Sequence, residues 1–268
     1  MKVKGIDDEK CIACKACVDE CRRFVMDETQ TKVLYSDPDK TCSDCAHCIA
    51  ICPENAILHD DYDDSMIEID SIPVDLRTIP YDTLFNVMRT HRSIRRYTPE
   101  PVPRSVLEKV LNAMRCAPTA GNMRNERYTV ISNQEALQNL SAGVIDELMK
   151  NPMTRATYEK SFARLKPMFK SAVFFDAPHV IIASSQFDIG VEDTNIGICI
   201  TYGRFAAESL GLGTCWNGWT QMALQTSKEL RKIAGVHGVR FGVFSIGYPA
   251  INYLRTAPRS MLKVKWID

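Results

Sequence analysis

Past position 80, apolar residues fall alternately into helical and strand periods. Tyr81, Leu84, Phe85 and Met88 recur at i, i+3, i+4 and i+7, which predicts an amphipathic helix ending near His91. Val106, Leu107, Val110, Leu111 and Met114 predict a second helix opening near Pro103, whose fixed φ suits a first turn. Segments 128–131, 179–183 and 239–246 are short, rich in β-branched and aromatic residues, and are predicted strands. Between 193 and 212, Ile196, Cys199, Ile200, Phe205, Ala206 and Leu210 cover most of a helical circumference ahead of Gly211 and Gly213. Such a helix is expected to be buried, centrally or at a subunit interface. The mixture predicts an α+β domain over 81–268. No Gly-x-Gly-x-x-Gly run supports a dinucleotide-binding fold.

Before position 80 neither period persists. Residues 1–59 are short segments punctuated by cysteine, and 60–80 carry acidic residues, two prolines and one alternating stretch at 66–69. The latter region is predicted to be a linker with one short edge strand at most.

Composition sharpens this division. The formal net charge is zero, yet residues 1–80 hold 9 Lys+Arg against 18 Asp+Glu, and residues 81–268 hold 24 against 15. Opposite charges on the two parts favour separate modules, although each set could simply solvate its own surface. With 45% apolar residues the chain can bury a substantial core. No apolar run approaches the length of a membrane span, and MKVKGIDDEK lacks the apolar centre of a signal peptide, so a cytoplasmic protein is expected, with no membrane or nucleic-acid partner.

Eight of the eleven cysteines lie between Cys11 and Cys52. In a reducing compartment such clustering argues for metal binding over disulfides. Cys11, Cys14, Cys17 and Cys21 follow C-x-x-C-x-x-C-x-x-x-C, and Cys42, Cys45, Cys48 and Cys52 repeat it with Pro53 after the last. Residues 5–59 thereby resemble bacterial two-cluster ferredoxins. The resemblance implies two 4Fe-4S clusters, Cys11, Cys14, Cys17 and Cys52 serving one and Cys42, Cys45, Cys48 and Cys21 the other. Zinc is the competing metal, but its structural sites favour two separated ligand pairs. Arg22 replaces the proline often found after the first run, and the 20 residues between Cys21 and Cys42 exceed those of the smallest ferredoxins. His47, inside the second run, is expected to be an exposed loop residue. Cys116, Cys199 and Cys215 are expected to be small buried residues.

Four segments beyond 80 resemble the nitroreductase family. The first is His91-Arg92-Ser93-Ile94-Arg95-Arg96-Tyr97, whose guanidinium groups and hydroxyl suit a phosphate. The second, Ala117-Pro118-Thr119-Ala120-Gly121-Asn122, is similar to a family loop that reaches the flavin across a dimer, although Arg124-Asn125-Glu126 departs from the usual continuation. In the third, Gly211-Leu-Gly-Thr-Cys-Trp-Asn-Gly218, the resemblance places the Asn217 backbone amide near flavin N5, flanked by Trp216 and Gly218. Trp216 and Trp219 could equally be core aromatics. The fourth is 241–250, with its Gly-Tyr-Pro turn, followed by Arg255 and Arg259 as phosphate candidates.

Taken together, the resemblances imply a ferredoxin-like two-cluster module at 1–59, a linker at 60–80 and a nitroreductase-type α+β domain at 81–268. The implied cofactor set is FMN and two 4Fe-4S clusters in a homodimer. FMN would be held by His91, Arg92, Ser93, Arg95, Pro118, Thr119, Asn122, Trp216, Asn217, Gly218, Arg255 and Arg259. No nucleophile–base pair is visible, which fits chemistry carried by a cofactor. The implied activity passes electrons from reduced ferredoxin or NAD(P)H through the two 4Fe-4S clusters to FMN and on to an unsaturated small-molecule acceptor such as a nitro compound, quinone or enone. The alternative is an electron-transfer or redox-sensing flavoprotein without steady turnover.

Overall fold

A computed structural model describes residues 3–60, 67, 69, 72 and 79–267. The chain forms two compact units, one of residues 1–78 with 120–123, the other of 79–119 with 124–268. Of the stretch 66–69, expected as an edge strand, residues 66 and 68 lie outside the described residues, and 67 and 69 are not in a strand.

The first unit is built from short pieces. Strand β1 (Val3–Ile6) pairs antiparallel with β4 (Ile57–His59), and β2 (Phe24–Met26) with β3 (Val33–Tyr35). Helices α1 (Ala16–Glu20) and α2 (His47–Ile51) each lie within one cysteine run, carrying its third cysteine, Cys17 or Cys48. So small a unit has little apolar mass, and its core of Val3, Phe24, Val33, Ile49 and Ile57 includes the cysteines themselves. The β2–β3 hairpin is held by Asp27, which accepts the amides of Thr31 (2.8 Å) and Lys32 (3.0 Å). Those bonds and the Thr29 hydroxyl pull its carboxyl down to about 2.

The second unit centres on an antiparallel sheet in the order β5-β6-β8-β7, comprising β5 (Arg127–Ile131), β6 (His179–Ser185), β7 (Gly213–Trp216) and β8 (Arg240–Gly247). Helices cover both faces, which is why β6 is buried at every position. Val180, Ile182, Phe241 and Val243 pack against α5 (Gln134–Lys150), α8 (Gly218–Thr226) and α9 (Lys228–Ile233). Ile181, Ala183, Phe244 and Ile246 pack against α4 (Arg104–Arg115) and α7 (Glu192–Ser209). Polar caps set several helix starts: Asn133 accepts Ala136 N, and Asn151, with Pro152 next, opens α6 (Pro152–Leu165) by accepting Met153 N.

The predicted elements at 128–131, 179–183 and 239–246 are all strands, and α4 opens at Arg104. Helix α7 is central, burying Ile196, Cys199, Ile200 and Ala207, while Tyr202 stays exposed. The helix expected from Tyr81 is present as α3 (Tyr81–Thr90), but none of its residues is buried. Cys116 departs from expectation. It follows the last turn of α4 and is exposed, whereas Cys199 and Cys215 are buried as expected.

One buried histidine joins this core to the segment before α4. His179 Nε2 accepts Val102 N at 2.8 Å, and Nδ1 lies 2.7 Å from Ser132 Oγ. An acceptor role at Nε2 requires the neutral ring, and burial lowers its pKa from 6.5. Because the unfolded chain then binds the proton more readily, this contribution to stability is complete above about pH 6.5 and declines as pH falls below it. The urea midpoint of the intact chain should therefore drop between pH 7.5 and 5.5, and less so for His179→Gln. Equal drops in both would refute this assignment.

Candidate functional site

In the first unit the cysteines separate into two quartets. Cys11, Cys14, Cys17 and Cys52 line one cavity, and Cys21, Cys42, Cys45 and Cys48 line another. The fold thus brings the fourth cysteine of each run to the first three of the other. All eight are free thiols. Burial raises the Cys17 thiol pKa, with smaller contributions from Cys52, Cys11 and Cys14. Burial likewise lifts Cys48 to about 11, with Cys21, Cys45 and Cys42 adding to the effect.

The backbone around each quartet is also distinctive. Ala13 and Lys15 have φ of 54° and 68°, and Asp44 and Ala46, at the equivalent places of the second run, have 52° and 62°. Left-handed non-glycine residues are costly, of order 1–3 kcal/mol each, and two pairs at matching positions call for a common cause. Left-handed residues alternating with cysteines turn successive N–H groups toward one side, making a concavity for an anionic group such as an iron–sulfur centre. Among the described residues no three His, Cys, Asp or Glu side chains converge as a single-ion site. Four thiols around a cavity form a donor set that a cubane cluster can take. His47 is exposed in side chain, as expected, with Nδ1 3.0 Å from Glu20 Oε1, but it opens α2 rather than lying in a loop.

In the second unit three of the four sequence segments meet. Ser93 bridges to Thr214, and Ile94 N donates to Thr214 O at 2.9 Å, so the Arg-rich segment runs beside β7. A Cβ on Gly213 would lie 2.6 Å from Ile94 Cγ1, so only glycine permits this approach. Thr98 N donates to Tyr248 O, and Ala250 N to Arg96 O, which ties the same segment to the Gly-Tyr-Pro turn after β8. Tyr97 reaches the sheet, its hydroxyl 3.0 Å from Ser245 Oγ.

A cavity of about 210 Å³ opens there, lined by Arg95, Cys215, Trp216, Asn217 and Gly218 and walled by Tyr158, Phe175, Trp219 and Met222. Arg95 lies over the Phe175 ring at 5.8 Å. Phe175 and Asp176 have φ of 57° and 53°, an unfavourable pair sustained by Asp176 Oδ1, which accepts Ser171 N at 2.7 Å. Burial raises the Cys215 thiol pKa, opposed by Arg95 and the Ser93 hydrogen bond.

Arg92 lies apart from this cavity, half-buried, with Nη1 donating to His91 O at 2.9 Å. Its Nη2 is buried without a hydrogen-bond partner. An unmatched guanidinium nitrogen is costly, and an anionic ligand would satisfy it. His91 itself is engaged with Glu208, Nδ1 to Oε2 at 2.9 Å; burial lowers its pKa, and nearby Arg204 lowers it further. Arg255 and Arg259 lie on the exposed segment after β8.

Two expectations change. The Asn217 N–H donates to Val243 O at 2.7 Å, so it is not the amide offered to a ring. Its side chain is also committed, accepting Thr220 N and donating to Val173 O. The next N–H, of Gly218, stands at the first position of α8, where helix geometry supplies no internal acceptor. Asn122 belongs to the first unit, where Nδ2 donates to the carbonyls of Ser43 (3.2 Å) and Asp44 (2.9 Å). The remainder of that loop does not join the 210 Å³ cavity: Pro118 is exposed, and Ala117 and Thr119 line another with Arg124, Glu126, Tyr128 and Cys199.

The sheet and the helical layers on its two faces make a three-layered α+β domain with a cavity beside β7. The Nitroreductase family model matches residues 88–248, more than half the chain, and the protein belongs to that family. A relative from Methanothermobacter thermautotrophicus, provisionally named an NADH dehydrogenase/NAD(P)H nitroreductase, is 26% identical over 68% of this chain and 85% of its own length. The crystal structure of a nitroreductase with bound FMN from Bacteroides fragilis shares the fold, with a TM-score of 0.57 and 19% identity over 68% of this chain and 97% of that one. A protein named Ferredoxin 7Fe, from Hydrogenibacillus schlegelii, is 41% identical over 56 residues, 20% of this chain and 69% of its own. No helix among the described residues is long and apolar enough to cross a membrane.

Proposed function

We propose that this chain is an iron–sulfur flavoenzyme in which 1–59 is a ferredoxin-like module holding two 4Fe-4S clusters and 81–268 holds FMN. The observation that carries this reading is the crosswise pairing of the cysteine runs, four thiols around each of two cavities, in one chain with a nitroreductase domain. The resident groups would supply one-electron carriers and a centre that exchanges one or two electrons.

The chain's own residues then have definite tasks. Arg92 and Ser93, with Arg255 and Arg259, would bind the flavin phosphate, and the buried Nη2 of Arg92 supports its part in this. The 210 Å³ cavity would receive the ring, with the Gly218 N–H directed at its edge and Arg95 held by Phe175 at its rim. Tyr158, Trp219 and Met222 would exclude water and face a flat, unsaturated acceptor such as a nitro compound, quinone or enone. The loop at 117–122 would complete the site of a second copy.

What the second unit leaves uncovered supports a homodimer. Helix α3 exposes Tyr81, Leu84, Phe85 and Met88, and the terminal segment exposes Leu254, Met261, Leu262 and Trp266. Apolar groups in such number on one unit call for a partner surface. Sedimentation of the flavin-loaded protein should give the dimer mass; a monomer that retains FMN would contradict it.

The donor is read as reduced ferredoxin or NAD(P)H. Anaerobic mixing of the intact protein with each donor, followed at the flavin absorbance, should show bleaching with at least one of them, and subsequent acceptor addition should restore the colour repeatedly. Bleaching without repeated reoxidation across a panel of nitro compounds, quinones and enones would instead make it an electron store.

A further inference from the structure

The two cysteine quartets are not equivalent in what surrounds them. The hairpin between the runs places Arg23 beside the second quartet, with Nη1 donating to Cys21 Sγ at 3.8 Å. The guanidinium is fixed on its other edges: Nε donates to Asp37 Oδ1 at 3.1 Å, and Nη2 to Thr41 Oγ1 at 2.8 Å and to the Thr41 carbonyl. Asp37 in turn accepts Cys42 N at 3.0 Å. Both members of this ion pair are largely shielded, with side chains 15% and 13% exposed. One of the four sulfurs thus meets a charged side-chain donor. At the first quartet the donor to sulfur is a neutral backbone amide, Ala56 N to Cys52 Sγ at 3.2 Å.

Donors directed at ligand sulfur stabilise the added electron and raise a cluster's reduction potential. The carboxylate of Asp37 acts in the opposite sense. Its charge is matched by Arg23, however, and the guanidinium is the member that touches sulfur. Resting on the two-cluster reading above, we propose that Arg23 makes the centre held by Cys21, Cys42, Cys45 and Cys48 the higher-potential one, so that electrons settle there in preference to the centre held by Cys11, Cys14, Cys17 and Cys52. The insert that distinguishes this module from the smallest ferredoxins is then the device that sets the direction of flow within it.

The test is an EPR-monitored redox titration of the intact protein, after iron and sulfide analysis has established both clusters. Wild type should show two midpoints separated by at least about 59 mV, a tenfold partition for a one-electron couple. Arg23→Ala should move the upper midpoint downward and leave the lower one in place, and Arg23→Lys, which keeps the charge without the fork, should fall between. If Arg23→Ala loses iron, Arg23→Lys alone decides by the direction of its upper midpoint. Coincident wild-type midpoints, or an upper midpoint unmoved by these substitutions, would overturn the proposal while leaving two clusters intact. Absence of the clusters in the first analysis would instead defeat the reading on which it rests.

Discussion

Cys14→Ser is expected to abolish acceptor reduction driven by the physiological donor while leaving the flavin domain folded and able to turn over when reduced chemically. Cys14 is exposed and contributes to no buried core of the second unit, so the lesion should stay local. It shares its cavity with Cys11, Cys17 and Cys52, and removing one thiolate of four should leave that cluster incomplete. Iron should fall to about half, since the other quartet is untouched. Donor-driven and chemically driven rates, measured side by side, check the prediction. If donor-driven turnover persisted at the wild-type rate in protein shown to lack that cluster, electrons would not pass through it. The acidic first part, with 18 Asp+Glu against 9 Lys+Arg, would then need another role.

Arg92→Ala should release the flavin. A hydrogen bond to a charged group contributes about 1.5–3 kcal/mol, so loss of one guanidinium should weaken retention by roughly 10- to 150-fold. The exposed Arg255 and Arg259 should cost less individually, because solvent screens them. Fluorescence titration of apoprotein with FMN measures this directly. Wild-type affinity in Arg92→Ala would remove Arg92 from the phosphate site and leave its buried Nη2 unexplained.

The parts most legible in sequence were those with fixed spacing. Eight cysteines at repeated intervals implied a crosswise pairing, and the quartets around the two cavities have that pairing. The β-branched and aromatic residues at 179–183 and 239–246 marked strands, while the helices that cover both faces are seen only in the fold. Helix α5 is not among the predicted elements, although Leu137, Leu140, Val144 and Leu148 follow the helical period after the Asn133 cap and could have marked it. The left-handed Phe175 had no local sign, because its conformation is imposed by Asp176 and the turn from Ser171. Nor could spacing show that Val243 takes the Asn217 amide, a bond between residues distant in sequence. Cys116 is exposed because it falls just past the end of α4, and composition says nothing of such a position.

The most direct test of the whole account is elemental and flavin analysis of protein isolated without oxygen. The account predicts about eight iron and about eight labile sulfide per chain, together with one FMN released on denaturation. Stoichiometric zinc without labile sulfide, or FAD in place of FMN, would contradict it.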